Sequence, residues 1–213
     1  LSYDNLASMQ LPPPVDVLAN LNLDICRPLV LATMHPIPRD KDLTRDETNE
    51  FFKALKQISK IASVIITAPN HDSGREVIVQ GVQHLIDSPN VRYVESLGAA
   101  NYYSLMSYST IAPVIVAGNS SSIIKEAPFF NAHSLNVGCR QAGRVKSSTQ
   151  VDVPAESKVI YKEIRRLIEI PCLESDNPYY KPGSVDGLVE FIDSVMKDKS
   201  RDAILANNVF SEL

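Results

Sequence analysis

A run of small polar residues follows an apolar, strand-like segment in the middle of the chain, and phosphate binding is the chemistry that suits it. The run is GNSSS (118–122), and the residues after it, up to 128, have the pattern of a short helix. Free N–H groups at a helix start, with serine hydroxyls beside them, form an anion site that needs no cationic side chain. A serine-capped helix with a purely structural role fits the same residues.

Glu126 lies one turn into this predicted helix. A carboxylate at that position can accept two hydrogen bonds from a ribose diol, as the acidic residue of dinucleotide-binding folds does. A glutamate that simply faces solvent is the alternative. Together with the serine run, Glu126 indicates a nucleotide site, but the spacing alone leaves both interpretations open.

Two arginines, Arg140 and Arg144, flank a turn-forming stretch directly after another predicted strand. The planar guanidinium fork of arginine binds phosphate or carboxylate groups through two parallel hydrogen bonds. Surface arginines that pair with acidic residues fit this pattern equally well.

Three further candidates also follow predicted strands. His35 ends an apolar run, Asn70 begins a loop between a strand and a helix, and Leu97 lies in the loop 96–98. The four histidines show no H-x-x-x-H spacing, and no glycine-rich dinucleotide fingerprint follows a strand. We therefore expect neither a metal ion nor a cofactor.

Alternating strand-like and helix-like segments must position these residues. The apolar runs are nearly continuous, as in parallel strands that are covered on both faces. They are residues 28–33, 64–68, 91–94, 114–117 and 134–137. The alternation predicts βαβ units and an α/β fold with a doubly wound, Rossmann-like parallel sheet. Ligands bind at the carboxyl ends of the strands in such sheets, where all the candidate loops lie.

Local signals predict where several helices begin. Thr44 and Glu47 have the spacing of a capping box, which places the start of the first long helix at Thr44. Pro154 suits the first turn of a helix that runs to Leu167. Ser184 is predicted to cap a later helix.

Composition narrows the possible functions. The 213 residues include 21 Lys+Arg and 25 Asp+Glu, a net charge of −4, which argues against nucleic-acid binding through a basic surface. The longest apolar runs are strand-sized, so we expect no membrane span. Three widely spaced cysteines and an opening, residues 1–4, without a signal-peptide pattern predict a cytoplasmic protein with reduced thiols.

Four motifs, in this order, resemble those of the hydrolysing UDP-N-acetylglucosamine 2-epimerases. They are ATMHP (32–36), APNHDSGR (68–75), GNSSSIIKEAP (118–128) and NVGCRQAGR (136–144). The likeness runs from Pro28 to about Asp152, and the serine run with the R-Q-x-G-R element is its more specific part. The family has two Rossmann-like halves in the arrangement called GT-B, and this chain resembles the C-terminal half.

The resemblance implies roles for individual residues. Ser120 and Ser121 would hold the diphosphate of a UDP-sugar, and Glu126 would bind the uridine ribose. Arg140 would lie at the diphosphate or its surroundings. The remaining implied site residues are Asn70 and Leu97, which would line the nucleotide pocket, and His35, a catalytic residue facing the sugar end.

The implied reaction is elimination of UDP across C1–C2 of the sugar, followed by hydration to N-acetylmannosamine. The proton at C2 is weakly acidic, so its removal needs a positioned base, and the departing UDP needs charge stabilisation. The family's acidic catalytic residues come from its N-terminal half. We therefore expect three partners, a UDP-sugar, the missing N-terminal domain of the same chain and further copies in a homo-oligomer, and no activity from this half alone.

We predict three segments: a linker at residues 1–27, the nucleotide-binding domain at residues 28–200, and a C-terminal helix or tail at residues 201–213. The chain also departs from the family pattern. Ile123 replaces a usual glycine, and NPYYKPG (177–183) replaces a Pro-Tyr-Gly-Asp-Gly element. Two alternatives stay open, a UDP-sugar glycosyltransferase domain of the same architecture and a non-catalytic nucleotide-sugar-binding domain.

Overall fold

Six short strands form one parallel sheet in the computed structural model, which describes residues 6, 8–38, 40–172, 174 and 176–197. The order across the sheet is β3-β2-β1-β4-β5-β6, so it reverses between β1 and β4. This arrangement confirms the predicted doubly wound, Rossmann-like α/β fold. The strands are β1 (Leu29–Thr33), β2 (Ser63–Thr67), β3 (Val91–Val94), β4 (Val114–Gly118), β5 (His133–Val137) and β6 (Gln150–Val153).

Seven α-helices accompany the sheet within the described ranges. A short 3₁₀ turn, Tyr108–Thr110, follows the fourth of them. The helices are α1 (Pro14–Asn20), α2 (Lys41–Ile58), α3 (Arg75–Val82), α4 (Gly98–Ser107), α5 (Ser122–Phe129), α6 (Ser157–Glu169) and α7 (Ser184–Lys197).

Each face of the sheet carries its own hydrophobic core. Neighbouring residues of a strand point to opposite faces, so Val30 and Ala32 pack with α2, α3 and α6, whereas Leu29 and Leu31 pack with α1, α4 and α5. All four side chains are fully buried. Burial on both faces explains why successive residues in the middle of β1, β2 and β4 are apolar.

The edge strand β6 is absent from the sequence prediction. Among the strands of the described residues it pairs with β5 alone, and three of its four residues are partly or fully exposed. Its sequence, QVDV, contains two polar residues and lacks the continuous apolar run that identifies β1, β2 and β4.

Two predicted helix starts are wrong because the capping groups differ from those expected. Helix α2 begins at Lys41, and the Asp40 side chain accepts a hydrogen bond of 2.8 Å from the N–H of Leu43. Helix α6 begins at Ser157, whose N–H donates to the Glu50 carboxylate 2.9 Å away on α2. A cap supplied by a distant side chain leaves no local sequence pattern.

Contacts divide the chain into two units, of which the larger is Gln10–Tyr179 and contains β1–β6 and α1–α6. Helix α7, with Ser184 as its first residue, belongs to the other unit. The predicted boundaries at residues 27 and 200 stay a prediction, and the predicted helix or tail at 201–213 lies outside the described residues. None of the helices assigned above has both the length and the apolar composition needed to span a bilayer.

Candidate functional site

A cleft of about 300 Å³ opens at the carboxyl ends of the strands, beside the point where the strand order reverses. Thr33 and Thr67, the last residues of β1 and β2, form part of its wall, and their hydroxyls lie 2.6 Å apart. Three predicted site residues, His35, Leu97 and Ser120, also line it. The cleft therefore lies where a doubly wound sheet binds its ligand.

Gly118 ends β4 and lets the chain enter the following loop very close to β1; we call this loop, residues 119–121, the anion loop. Its φ is 126°. A Cβ added there would overlap the backbone carbonyl of Thr33, at a distance well below the 3.0 Å that is the practical minimum for a Cβ contact. The next residue, Asn119, donates its N–H to the same carbonyl oxygen at 3.1 Å. Only glycine fits this close approach.

The start of α5 presents hydroxyls and amides to the cleft. The buried Ser120 Oγ lies 3.1 Å from Ser122 Oγ, which lies 3.0 Å from the Tyr102 hydroxyl. Ser121 is the N-cap residue, and its side chain makes no capping hydrogen bond. The backbone N–H groups of Ser120 and Ser121 donate to no acceptor among the described residues. This combination suits an anion.

Ile123, at the position where the resemblance implies a glycine, does not line the cleft. Its side chain is fully buried in the core that contains Val17, Leu29 and Val116. The β-branched side chain therefore packs between α5 and the sheet and leaves the start of the helix open.

Glu126 is mostly buried, and burial raises the pKa of its carboxyl. Its Oε2 atom is inaccessible to solvent and accepts no hydrogen bond from the part of the chain that the structure describes. Burial, together with a smaller contribution from the Glu126 charge, raises the pKa of Tyr102 to about 12, and the same causes raise the pKa of Tyr103. A buried carboxylate oxygen without a donor needs an explanation, and a ligand hydroxyl would supply one.

His35 is held as a neutral imidazole. Its Nδ1 accepts a hydrogen bond of 3.1 Å from the backbone N–H of Asn70, so the ring proton belongs on Nε2. Burial and the positive charge of Arg140 lower the pKa of His35 to about 4, although Asp72 opposes the shift. At neutral pH the ring can therefore donate from Nε2, and it carries no positive charge.

Arg140 reaches the same region but already binds the backbone. Its guanidinium donates to the carbonyl oxygens of Pro36 at 3.3 Å and of Asn119 at 3.1 Å. The guanidinium thus joins the loops that follow β1 and β4. Arg144, the other arginine of the predicted pair, is exposed.

Two kinds of site residue are absent from the sequence prediction. Asn119 belongs to the serine run, whose local spacing gives it no role of its own, yet it is fully buried and bonded to His35, Arg140 and Gln141. Tyr102 and Tyr103, in α4, also line the cleft. The position of these tyrosines in the first turns of the helix after β3 is the signal that could have identified them.

Glu47 lies under the turn that leads to Arg140. Its Oε1 accepts a hydrogen bond from the N–H of Cys139 at 3.4 Å, and a Cβ on Gly138 would overlap its carboxyl group. Burial raises the pKa of Glu47. The folded protein therefore favours the protonated carboxyl more than the unfolded chain does. The stability that the protonated carboxyl contributes is lost as the pH rises through the pKa of Glu47 in the folded state.

The variant Glu47→Gln is expected to raise the free energy of unfolding at about pH 7.5 by up to about 1 kcal/mol, because the amide keeps an acceptor for Cys139 and carries no charge. The gain in the free energy of unfolding should shrink as the pH falls toward about 4. Urea unfolding of the variant and the unmodified protein between about pH 4 and about pH 7.5 measures this gain.

Glu50→Gln, on the same helix, is the matched control, and we expect it to change the free energy of unfolding in the opposite direction. Hydrogen bonds from Lys53 and Ser157 lower the pKa of Glu50 to about 2, so its ionised form stabilises the fold above the unfolded pKa. This variant should lose stability at neutral pH. A loss of stability in Glu47→Gln at the same pH would contradict the expectation for Glu47.

Comparisons with known proteins find a matching family model and several relatives. A family model described as UDP-N-acetylglucosamine 2-epimerase matches residues 14–193. The chain is 27% identical over 207 residues to polysialic acid biosynthesis protein P7 of Escherichia coli, covering 95% of this chain and 51% of that protein. It is 33% identical over 139 residues to the GDP/UDP-N,N'-diacetylbacillosamine 2-epimerase (hydrolyzing) of Campylobacter jejuni, covering 64% and 35%. The chain thus spans about half, or less, of the length of these relatives.

Solved structures show the same fold at lower identity. The UDP-GlcNAc 2-epimerase from Neisseria meningitidis, bound to UDP-GlcNAc, has a TM-score of 0.62 at 21% identity, covering 84% of this chain and 48% of that one. The UDP-GlcNAc 2-epimerase from Methanocaldococcus jannaschii has a TM-score of 0.60 at 13% identity, and the match covers 84% of this chain and 49% of that one.

Proposed function

The chain belongs to the UDP-N-acetylglucosamine 2-epimerase family, and on this premise we propose that it is the UDP-binding half of a hydrolysing enzyme of this family. The complete enzyme eliminates UDP from UDP-N-acetylglucosamine across C1–C2 and hydrates the product to N-acetylmannosamine. The names of two relatives, both called 2-epimerase (hydrolyzing), support the hydrolysing form of the reaction.

The start of α5 carries the proposal. The N–H groups of Ser120 and Ser121 are without acceptors among the described residues, and the Ser120 hydroxyl lines the cleft. A diphosphate bound here accepts these hydrogen bonds and lies at the positive end of the helix dipole. Glu126, one turn further on, then receives the ribose hydroxyls at its unpaired Oε2.

The other predicted residues surround this nucleotide. Leu97 contributes the wall for the uracil, and Asn70, which does not itself line the cleft, holds the His35 ring through its backbone N–H. Arg140 adds positive charge near the diphosphate while it holds the loops that follow β1 and β4. The neutral His35 donates from Nε2 at the sugar end.

The described residues do not supply the base that removes the C2 proton. Glu95 is the carboxylate that lines the cleft, and it is paired with Arg75 at 2.6 Å. Glu126 is not among the lining residues, and the proposal assigns it to the ribose. A base needs a free acceptor at the reacting carbon. We therefore assign the base to an N-terminal half, as in the family, and expect no turnover from this half alone.

The same proposal includes the assembly and location of the protein. The complete enzyme joins this half to an N-terminal domain and forms a homo-oligomer in the cytoplasm. Three cysteines that are all free support a reducing compartment.

Hydrogen–deuterium exchange with UDP tests the binding proposal. At millimolar UDP, residues 118–126 should gain protection, and uridine, which lacks the diphosphate, should protect them much less. Unchanged exchange at residues 118–126 would contradict the proposal. In the complete protein, released N-acetylmannosamine distinguishes the epimerase from a glycosyltransferase, which would transfer the sugar to an acceptor.

A further inference from the structure

We propose that Asn119 is a positioning residue, whose buried amide and carbonyl fix His35 and Arg140 relative to the start of α5. The residue does not itself line the cleft. The proposal rests on the proposed function for its effect on ligand binding, but the position of His35 can be measured without any ligand.

The Asn119 side chain binds both sides of the His35 backbone. Its Oδ1 accepts from the His35 N–H at 2.7 Å, and its Nδ2 donates to the His35 carbonyl oxygen at 2.9 Å. A primary amide holds a donor and an acceptor at the spacing that this pair of bonds requires. Aspartate lacks the donor, and alanine lacks both groups.

The backbone carbonyl of Asn119 binds the loop after β5. It accepts from Arg140 Nη1 at 3.1 Å and from Gln141 Nε2 at 2.7 Å. With its side-chain bonds, Asn119 thus joins the loops that follow β1, β4 and β5. These three loops carry His35, the serine run and Arg140.

Burial makes this arrangement rigid. Asn119 is 0% exposed, so each lost bond would leave a polar group without water, and the native geometry is strongly preferred. The His35 ring is then fixed at two points, through its backbone by Asn119 and through Nδ1 by the Asn70 N–H. When Asn119 is removed, the His35 loop is free to move and the Nδ1 bond weakens.

The test is an NMR titration of His35 in ligand-free protein that contains ¹⁵N-labelled histidine. The charged groups that act on His35 are Arg140 and Asp72, and neither is altered. In the unmodified protein His35 should be neutral at pH 7, with the proton on Nε2, and should titrate with a pKa of about 4. In Asn119→Ala the ring should titrate at least about one pH unit higher, because it gains solvent and loses the Nδ1 acceptor geometry.

Asn90→Ala is the matched control. Asn90 also donates its side-chain amide to a backbone carbonyl, that of Ser59 at 2.9 Å, but it precedes β3 at the opposite end of the sheet. Its removal should leave the His35 titration unchanged. If Asn119→Ala is not folded, Asn119→Ser replaces it, with an intermediate shift expected.

An unchanged His35 titration in a folded Asn119 variant overturns the proposal, whether or not stability falls. In the complete protein, Asn119→Ala should also weaken UDP-sugar binding by about 10-fold or more, because small displacements of binding groups have large effects. If the His35 titration shifts but no UDP ligand binds even to unmodified protein, the positioning role stands and the proposed function fails.

Discussion

Gly118→Ala should destabilise the protein by about 4 kcal/mol or more, a loss that few single methyl groups cause. The added Cβ would overlap the Thr33 carbonyl, which is backbone and cannot move aside as a side chain could. The residue would also have to keep a φ of 126°, which a residue with a Cβ rarely adopts. Either β4 must separate from β1 or the anion loop must leave its position.

The control Gly143→Ala separates the effect of the overlap with Thr33 from the effect of a positive φ. Gly143 also has a positive φ, 81°, but a Cβ there meets nothing within 4 Å. This control should lose only about 1 kcal/mol, from backbone strain. Urea unfolding of both variants gives the comparison, and similar losses for the two would show that the overlap with Thr33 is not decisive.

Glu126→Ala should weaken the binding of UDP by about 10- to 100-fold, because two hydrogen bonds to a charged group are lost together. Calorimetric titration with UDP and with 2′-deoxy-UDP makes the test specific to the ribose. The unmodified protein should distinguish the two nucleotides, and the variant should bind both with similar affinity.

Glu169→Gln provides the control for the loss of a negative charge. Glu169 lies at the end of α6, and its carboxylate is exposed, with Arg165 as its neighbour. UDP affinity should not change in this variant. The ribose assignment fails if Glu126→Ala still prefers UDP to 2′-deoxy-UDP as strongly as the unmodified protein does.

The sequence is most informative where burial is complete. Strands β1, β2 and β4 are predicted within about two residues, since both faces of each are buried and mainly apolar. Strands β3 and β5 are also predicted, although β3 is an edge strand and both contain polar residues. The edge strand β6 and the α6 cap depend on neighbours that are distant in the chain, and neither is predicted. Ser157, for example, is capped by Glu50, 107 residues away.

The candidate site also contains residues that the sequence predicts and residues that only the fold identifies. His35, Leu97 and Ser120 follow directly from the rule that ligands bind where parallel strands end. The importance of Asn119 depends on its bonds to His35, 84 residues earlier, which form only because β1 and β4 are neighbours in the sheet. The spacing of neighbouring residues does not show that β1 pairs with β4, so only the fold identifies Asn119.

The hydroxyl groups of Tyr102, Ser122 and Ser120 have a further consequence for the release of an anion. Each can rotate about its C–O bond, so the protons can point toward one another or toward a phosphate without movement of heavy atoms. All three groups keep hydrogen bonds before and after the ligand departs. A cradle of fixed cations would instead leave uncompensated charge behind. We therefore expect these three hydroxyls, unlike the guanidinium of Arg140, to add little to the electrostatic barrier against anion release.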